Sequence, residues 1–225
     1  MPQLRVDAVA CGKFHTLFLD RGRVYAAGGN TFGQLGRGNK KSSARPEEVA
    51  TLAEKGVRIA MVSCWNYSAA VSTKGELYLW GTGAFGTSLL PQEFPLQKNK
   101  EGATGGRVIE VSVGGTFSGA IDEDENVYVW GANVKGELGT SDYEPRTRPF
   151  LVPVLKGNSM RQLAIGGSFA VALGRTIPAK GAARKQDVAA VETKQRETKP
   201  NKESAKSVKK SASKATLKRQ STMCD

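Results

Sequence analysis

Three stretches of this chain can be laid over one another without a gap. They are RVYAAGGNTFGQLGRG (23–38), ELYLWGTGAFGTSLL (76–90) and NVYVWGANVKGELGTS (126–141). Tyr25, Tyr78 and Tyr128 coincide; so do Gly28, Gly81 and Gly131, and then Gly33, Gly86 and Gly136. A second element precedes each: VACGKFHTLFLD (9–20), VSCWNYSAAVST (62–73), VSVGGTFSGAID (111–122) and LAIGGSFAVALG (163–174). The steps from Gly12 to Trp65 to Gly114 to Gly166 are 53, 49 and 52 residues. Short apolar runs and glycine turns recurring near fifty residues are the pattern of propeller blades, each of which buries its faces only against a neighbour.

The repeat decides how the one nucleotide-like motif is read. Gly81, Gly83 and Gly86 spell G-x-G-x-x-G after an apolar run. A phosphate loop needs a helix N-terminus next, because the free N–H groups there hold the anion. Here Thr87-Ser88-Leu89-Leu90-Pro91 follows, and the other copies carry Asn30 and Asn133 in place of Gly83. Glycine and asparagine share tolerance of a left-handed backbone, so the position is read as a turn requirement and no cofactor is expected.

Each unit reads as four short strands. VIEVSV alternates Ile109, Val111 and Val113 with Glu110 and Ser112; SGAID and NVYVWG follow; FLVPVL is a fourth strand, placed at an edge by Pro153. With no strong helix pattern beyond a turn at EEVATLAEKG, the first 174 residues are predicted all-β. The predicted units are 4–56, 57–105, 106–157 and a half unit 158–174.

These residues resemble the regulator of chromosome condensation repeat family. CGKFHTLFLD, RVYAAGGNTFGQLGRG and VYVWGANVKGELG carry the likeness, which covers about residues 4–174. The middle copy departs most, with CWNYSAA and FGTSLL, and Ala27 stands where the other copies have Trp80 and Trp130. The resemblance implies a partial β-propeller of four-stranded blades, where the family closes a ring of seven. Three and a half units leave two blade faces bare. A fragment of a longer product, a pair of chains closing one ring, and an open array with capped ends are all compatible with that count.

The remainder has different physics. Residues 175–225 contain no Phe, Trp or Tyr and hold 14 Lys+Arg against 5 Asp+Glu, whereas the first 174 hold 19 against 16. A stretch so poor in large apolar groups is expected to be a disordered basic tail. Lys209-Lys210 and Lys218-Arg219 loosely resemble a bipartite nuclear-import signal and suit a polyanion such as nucleic acid, bound without regard to sequence. The N-terminus lacks an apolar core for a signal peptide, and no stretch suits a membrane span. Three scattered cysteines suit a reducing compartment, so the chain is expected in the cytoplasm or nucleus.

No candidate supports covalent chemistry, and neither catalytic nor metal residues are assigned. His15, the only histidine, has no partners in register for a triad. It is matched with Ser68, Ser118 and Ala170 at a strand start and given a structural role. Cys11 and Cys64 occupy one site in successive units and are read as small packing groups. Cys224 is followed by one residue and is not a prenylation site. Asp122-Glu123-Asp124-Glu125-Asn126 opens like a calcium loop, but Val127 replaces the required glycine and Asn133 the final glutamate. It is read as a solvated turn, with Asp122, Glu123, Asp124 and Glu125 as an acidic contact for a basic partner. Trp65 interrupts a glycine position and is the candidate partner anchor. Trp80 and Trp130 are assigned to blade packing. The expected function is a non-enzymatic interaction scaffold that binds a macromolecule through the variable segments 38–57, 87–106 and 139–159. The resemblance also implies an alternative: guanine-nucleotide exchange on a Ran-type small GTPase, with chromatin association through the tail.

Overall fold

The computed structural model describes residues 4–97, 105–156 and 158–174. The chain divides into two units, Met1–Thr193 and Lys194–Asp225, and every described residue belongs to the first. The tail assignments at Lys209, Lys210, Lys218 and Arg219 lie outside the described residues.

The described part is all-β, a run of antiparallel blades. The first blade is β1 (Ala8–Cys11), β2 (His15–Asp20), β3 (Arg23–Gly28) and β4 (Ser43–Glu48). A single helical turn, α1 (Ala50–Glu54), leads to β5 (Ile59–Cys64), β6 (Ser68–Ser72), β7 (Leu77–Gly83) and β8 (Gly86–Glu93). The third blade is β9 (Val108–Val113), β10 (Phe117–Asp122), β11 (Val127–Gly131) and β12 (Arg146–Leu151). A half-blade of β13 (Met160–Ile165) and β14 (Ala170–Gly174) follows. Within each sheet the strands pair in chain order. The fourth strand of the third blade ends at Leu151, so Pro153 is not within it. That proline opens a 3-10 turn, Pro153–Leu155, where its fixed φ suits the first position.

Alternation along the strands sorts side chains to two sides of each blade, and the core forms between blades. Leu17, Leu19, Val24 and Ala26 of the first blade meet Ile59, Cys64, Tyr78 and Trp80 of the second. Ala69, Val71, Leu77 and Leu79 meet Val111, Val113, Tyr128 and Trp130 in the same way. Phe117, Ile121, Val127 and Val129 meet Leu163, Ile165 and Ala172 of the half-blade. Burying side chains of this size contributes roughly 1.5–3 kcal/mol each, so the seams carry most of the stability.

The pairing register corrects one alignment. Gly12 N–H donates to the His15 carbonyl, Gly114 N–H to Phe117 and Gly166 N–H to Phe169, but Trp65 N–H donates to Tyr67. The second blade's turn is one residue shorter. His15 therefore corresponds to Tyr67, Phe117 and Phe169, and Thr16 to Ser68, Ser118 and Ala170. The two cysteines share a register site but not an environment. Cys64 is buried in the first seam, its Sγ 3.3 Å from the Ala10 carbonyl, and burial pushes its thiol up to about 12. Cys11 lies on the open side of the first blade and is exposed, so it is not a packing group.

Candidate functional site

Strand direction divides the connections between two faces. The turns at 12–14, 65–66 and 114–116 join first to second strands and lie at the same end as the loops leaving β3, β7 and β11. Neighbouring turns touch: Lys13 N–H donates to the Trp65 carbonyl, Asn66 Nδ2 to Gly115 and Gly115 N–H to Gly166. We term this the turn face. The opposite, linker face carries the hairpins at 21–22, 73–76 and 123–126, together with the connections between blades.

The sequence-derived candidates fall on both faces. Trp65 lies on the turn face and is 37% exposed. Asp122–Glu125 lie on the linker face, so the structure does not bring them together with Trp65. Asp122 is not solvated: it is fully buried, accepting Asn126 N–H at 2.9 Å and the Tyr128 hydroxyl at 2.8 Å. A carboxylate occupied in this way closes its hairpin and offers nothing to a partner. Glu123 accepts the Arg107 N–H at 3.2 Å, and Glu125, at φ 64°, pairs with Arg161 at 2.9 Å. Glu123 thus joins the hairpin to the connection entering its own blade, and Glu125 joins it to β13 of the half-blade. Asp124 is exposed. Among the described residues no three His, Cys, Asp or Glu side chains cluster as metal ligands.

The asparagine positions also need correction. Neither Asn30 nor Asn133 has a left-handed backbone; both are fully buried and organise their loops through the side chain. Asn30 Oδ1 accepts Leu35 N–H at 2.9 Å, while Nδ2 donates to the carbonyls of Asn39 at 2.9 Å and Lys41 at 3.0 Å. Asn133 repeats this with Leu138 N–H at 3.0 Å and the carbonyls of Asp142 at 2.8 Å and Glu144 at 3.1 Å. The middle copy, with Gly83, has no amide to supply. Its loop is instead a β-hairpin, β7 running to Gly83 and β8 starting at Gly86. Gly83 and Gly86 therefore flank a hairpin turn, and Gly81 sits within β7 at a register shift, with φ 96°.

Sequence reasoning missed the aromatic character of the turn face. Phe14 is 60% exposed, Tyr143 73%, and Phe32 and Val134 are also open to solvent. Lys13 stands over the Phe14 ring at 5.1 Å. The available signal was positional: Phe14 shares the 12–15 turn that corresponds to the one holding Trp65, and Phe32 and Tyr143 sit in the two asparagine-organised loops.

His15 belongs to the seam beneath this face. Its Nε2 lies 2.8 Å from Ser68 Oγ, and Ser68 spends its only proton on the Gln34 carbonyl at 2.7 Å. Nε2 therefore carries the hydrogen and donates, leaving Nδ1 without a protein partner. Burial lowers the histidine to about 4, so the ring is neutral near pH 7. The next seam repeats the stitch with Tyr67, whose hydroxyl donates to Ser118 Oγ at 2.7 Å and accepts Trp130 Nε1–H at 2.7 Å. Burial pushes that phenol up.

Comparison with known proteins follows the same geometry. The family model described as Regulator of chromosome condensation (RCC1) repeat matches residues 21–71 and 124–173. A second model of that description matches 6–34. Each longer match begins beside a third strand and ends in the next sheet's second strand, so it spans one seam. The E3 ubiquitin-protein ligase HERC2 of Homo sapiens is 32% identical over 174 residues, covering 75% of this chain and 4% of HERC2. The ultraviolet-B receptor UVR8 of Arabidopsis thaliana is 30% identical over 173 residues, 72% of this chain and 38% of the receptor. The chain thus spans well under half the length of either relative. Among solved structures, human WBSCR16 is 22% identical with a TM-score of 0.49, covering 79% of this chain and 60% of that one. Prp20p of Saccharomyces cerevisiae is 21% identical with a TM-score of 0.44, covering 76% and 55%. Among the described residues no helix is long and apolar enough to cross a membrane.

Proposed function

The chain belongs to the regulator of chromosome condensation repeat family, and from that premise we propose that it is a non-enzymatic interaction module engaging a protein partner through its turn face. The observation that carries this is the gathering of Phe14, Phe32, Trp65 and Tyr143, all exposed, at the one end of the blades where the turns adjoin. The few residues that carry most of the energy at protein interfaces are enriched in Trp and Tyr, and loops fixed by a rigid sheet present such side chains at low entropic cost. The variable segments 38–57, 87–106 and 139–159 each cross a fourth strand from one face to the other. Only their turn-face parts join this surface. The linker face, where Asp122, Glu123 and Glu125 bond within the fold, is the internal comparison. Trp65→Ala with Tyr143→Ala is expected to abolish capture of specific partners, identified by mass spectrometry, while Asp124→Lys on the linker face leaves it intact. Equal loss from both variants would refute the assignment of the face.

Guanine-nucleotide exchange on a Ran-type small GTPase is a separate proposal raised by family membership. It predicts faster release of labelled nucleotide when the purified chain is added, and an unchanged rate would retire it. Chromatin attachment through Lys209, Lys210, Lys218 and Arg219 likewise predicts DNA binding that falls steeply with salt and disappears without residues 175–225.

A further inference from the structure

The three seams share a backbone register but not an occupant. In the first, Trp80 fills a slot made by Ala26, Leu35, Val49, Leu52 and Ala70, and all are in one buried cluster. Gly36 forms the slot's wall at φ 68°, and a Cβ there would stand 2.7 Å from Trp80 Nε1. The second seam holds Trp130 in the corresponding place, fully buried. In the third seam Val129, Leu138, Val152, Leu155 and Ala172 correspond to the residues of the first slot. They line an apolar cavity of about 100 Å³. Gly139 has the turn geometry of Gly36, φ 63°, yet a Cβ there would meet only Val152, at 3.8 Å. Beside the cavity, β14 pairs with β13 on one edge, and among the described residues no strand pairs with the other. The slot is made, and among the described residues no side chain fills it.

We propose that this groove takes an extended segment of another protein, with an aromatic residue two positions before a tryptophan, as the third strand of the half-blade. This deepens the interaction-module reading and rests on it. The occupant's chemistry is set by the two filled seams. Tyr78 and Trp80 lie opposite Ala70 and Ser68 across the β6–β7 ladder. Tyr128 and Trp130 lie opposite Ala120 and Ser118. The corresponding positions on β14 are Ala172 and Ala170, small enough for rings to lie over them. Trp80 Nε1 donates to the Gln34 carbonyl at 2.9 Å, and Glu137, which lines the groove, stands where Gln34 does. An indole therefore has an acceptor in register, which a phenylalanine could not use. Backbone pairing with β14 would add the main-chain bonds of strand addition, and the groove continues the existing seam between the third blade and the half-blade. Residues 175–225 cannot supply the rings, because they include no aromatic residue. A folded second copy has its Tyr-x-Trp strands paired on both edges and their rings buried.

The test uses the full chain and a fluorescent peptide of its own residues 75–82, GELYLWGT, as probe. Anisotropy is expected to show saturable binding, weakened at least tenfold when both aromatics of the peptide are alanine. Val154→Asp, at the exposed rim of the groove, is expected to weaken binding of the intact peptide without altering the circular dichroism. Trp65→Ala is expected to leave peptide binding unchanged, so the slot and the turn face fail independently. Absent binding, or equal binding of both peptides, would overturn the proposal. A dimer in sedimentation that excess peptide does not dissociate would also overturn it, by giving the groove to a second copy.

Discussion

The seam between the first two blades and the seam between the third blade and β13–β14 are built from corresponding residues, and they end in different states. The first is plugged by a fully buried indole and stitched by His15 to Ser68 at 2.8 Å. The last has Phe117 and Ala170 where the stitch would be, and a cavity of about 100 Å³ where the indole would be. Both neighbour pairs are otherwise joined by the same strand-to-strand packing. Two layers of interaction are therefore separable: aliphatic contact brings the sheets together, and the aromatic third strand with its polar stitch completes the join.

The largest expected effect comes from making the first seam resemble the last. Trp80→Ala removes the plug and its bond to the Gln34 carbonyl, and is expected to lower unfolding stability by about 3–5 kcal/mol in urea titrations. A loss under about 1 kcal/mol would show that the plug is incidental and that the seams do not differ in kind. The next effect uses pH. The His15 pKa is lowered in the folded chain to about 4, from 6.5 when unfolded. The unfolded state therefore binds more protons between these values. Stability contributed by neutral His15 is full above pH 6.5 and is lost as pH falls towards 4, by about 3 kcal/mol in all. Comparing unfolding midpoints at pH 4.5 and 7.5 should show that slope in the native chain and a shallower one in His15→Phe, which copies the third seam. Ser118→Ala is the smallest change. It leaves the Tyr67 hydroxyl without its acceptor and is expected to cost about 1–2 kcal/mol by the same titration. A zero cost would mean that the polar stitch adds nothing to aliphatic contact.

Much of this architecture was legible in the sequence. Tyr-x-Trp strands and glycines at fixed offsets reported the blades, because both the period of two and the turn geometry leave traces in residue type. The site was less legible, for three physical reasons. His15 pairs with Ser68 in a gapless reading because the turn at Trp65 is one residue shorter, and a single deletion inside a loop has no composition signal. The turns before Phe117 and Phe169 match its own in length, so the pairing with Ser118 and Ala170 is a one-residue offset that the shorter turn does not explain. Asn30 and Asn133 were read through the backbone, although what they contribute is a carboxamide pointing inward; residue type alone does not distinguish those uses. Trp65 and Asp122–Glu125 are both partner-contact candidates in the sequence, and placing them on opposite faces requires knowing which way each strand runs. The aromatic gathering is similarly three-dimensional, assembled from residues of different blades.

The buried carboxamides carry a consequence of their own. Asn30 fastens residues 35, 39 and 41, and every one of those bonds is internal to the loop. The clasp fixes the loop from inside, so an exposed position such as Lys40 can be rewritten like a cassette, whereas Arg37 and Gly38 stay tied to the sheets through Glu47 and the Leu89 carbonyl. A scaffold with two such clasps, at Asn30 and Asn133, can change what it recognises without renegotiating how it folds.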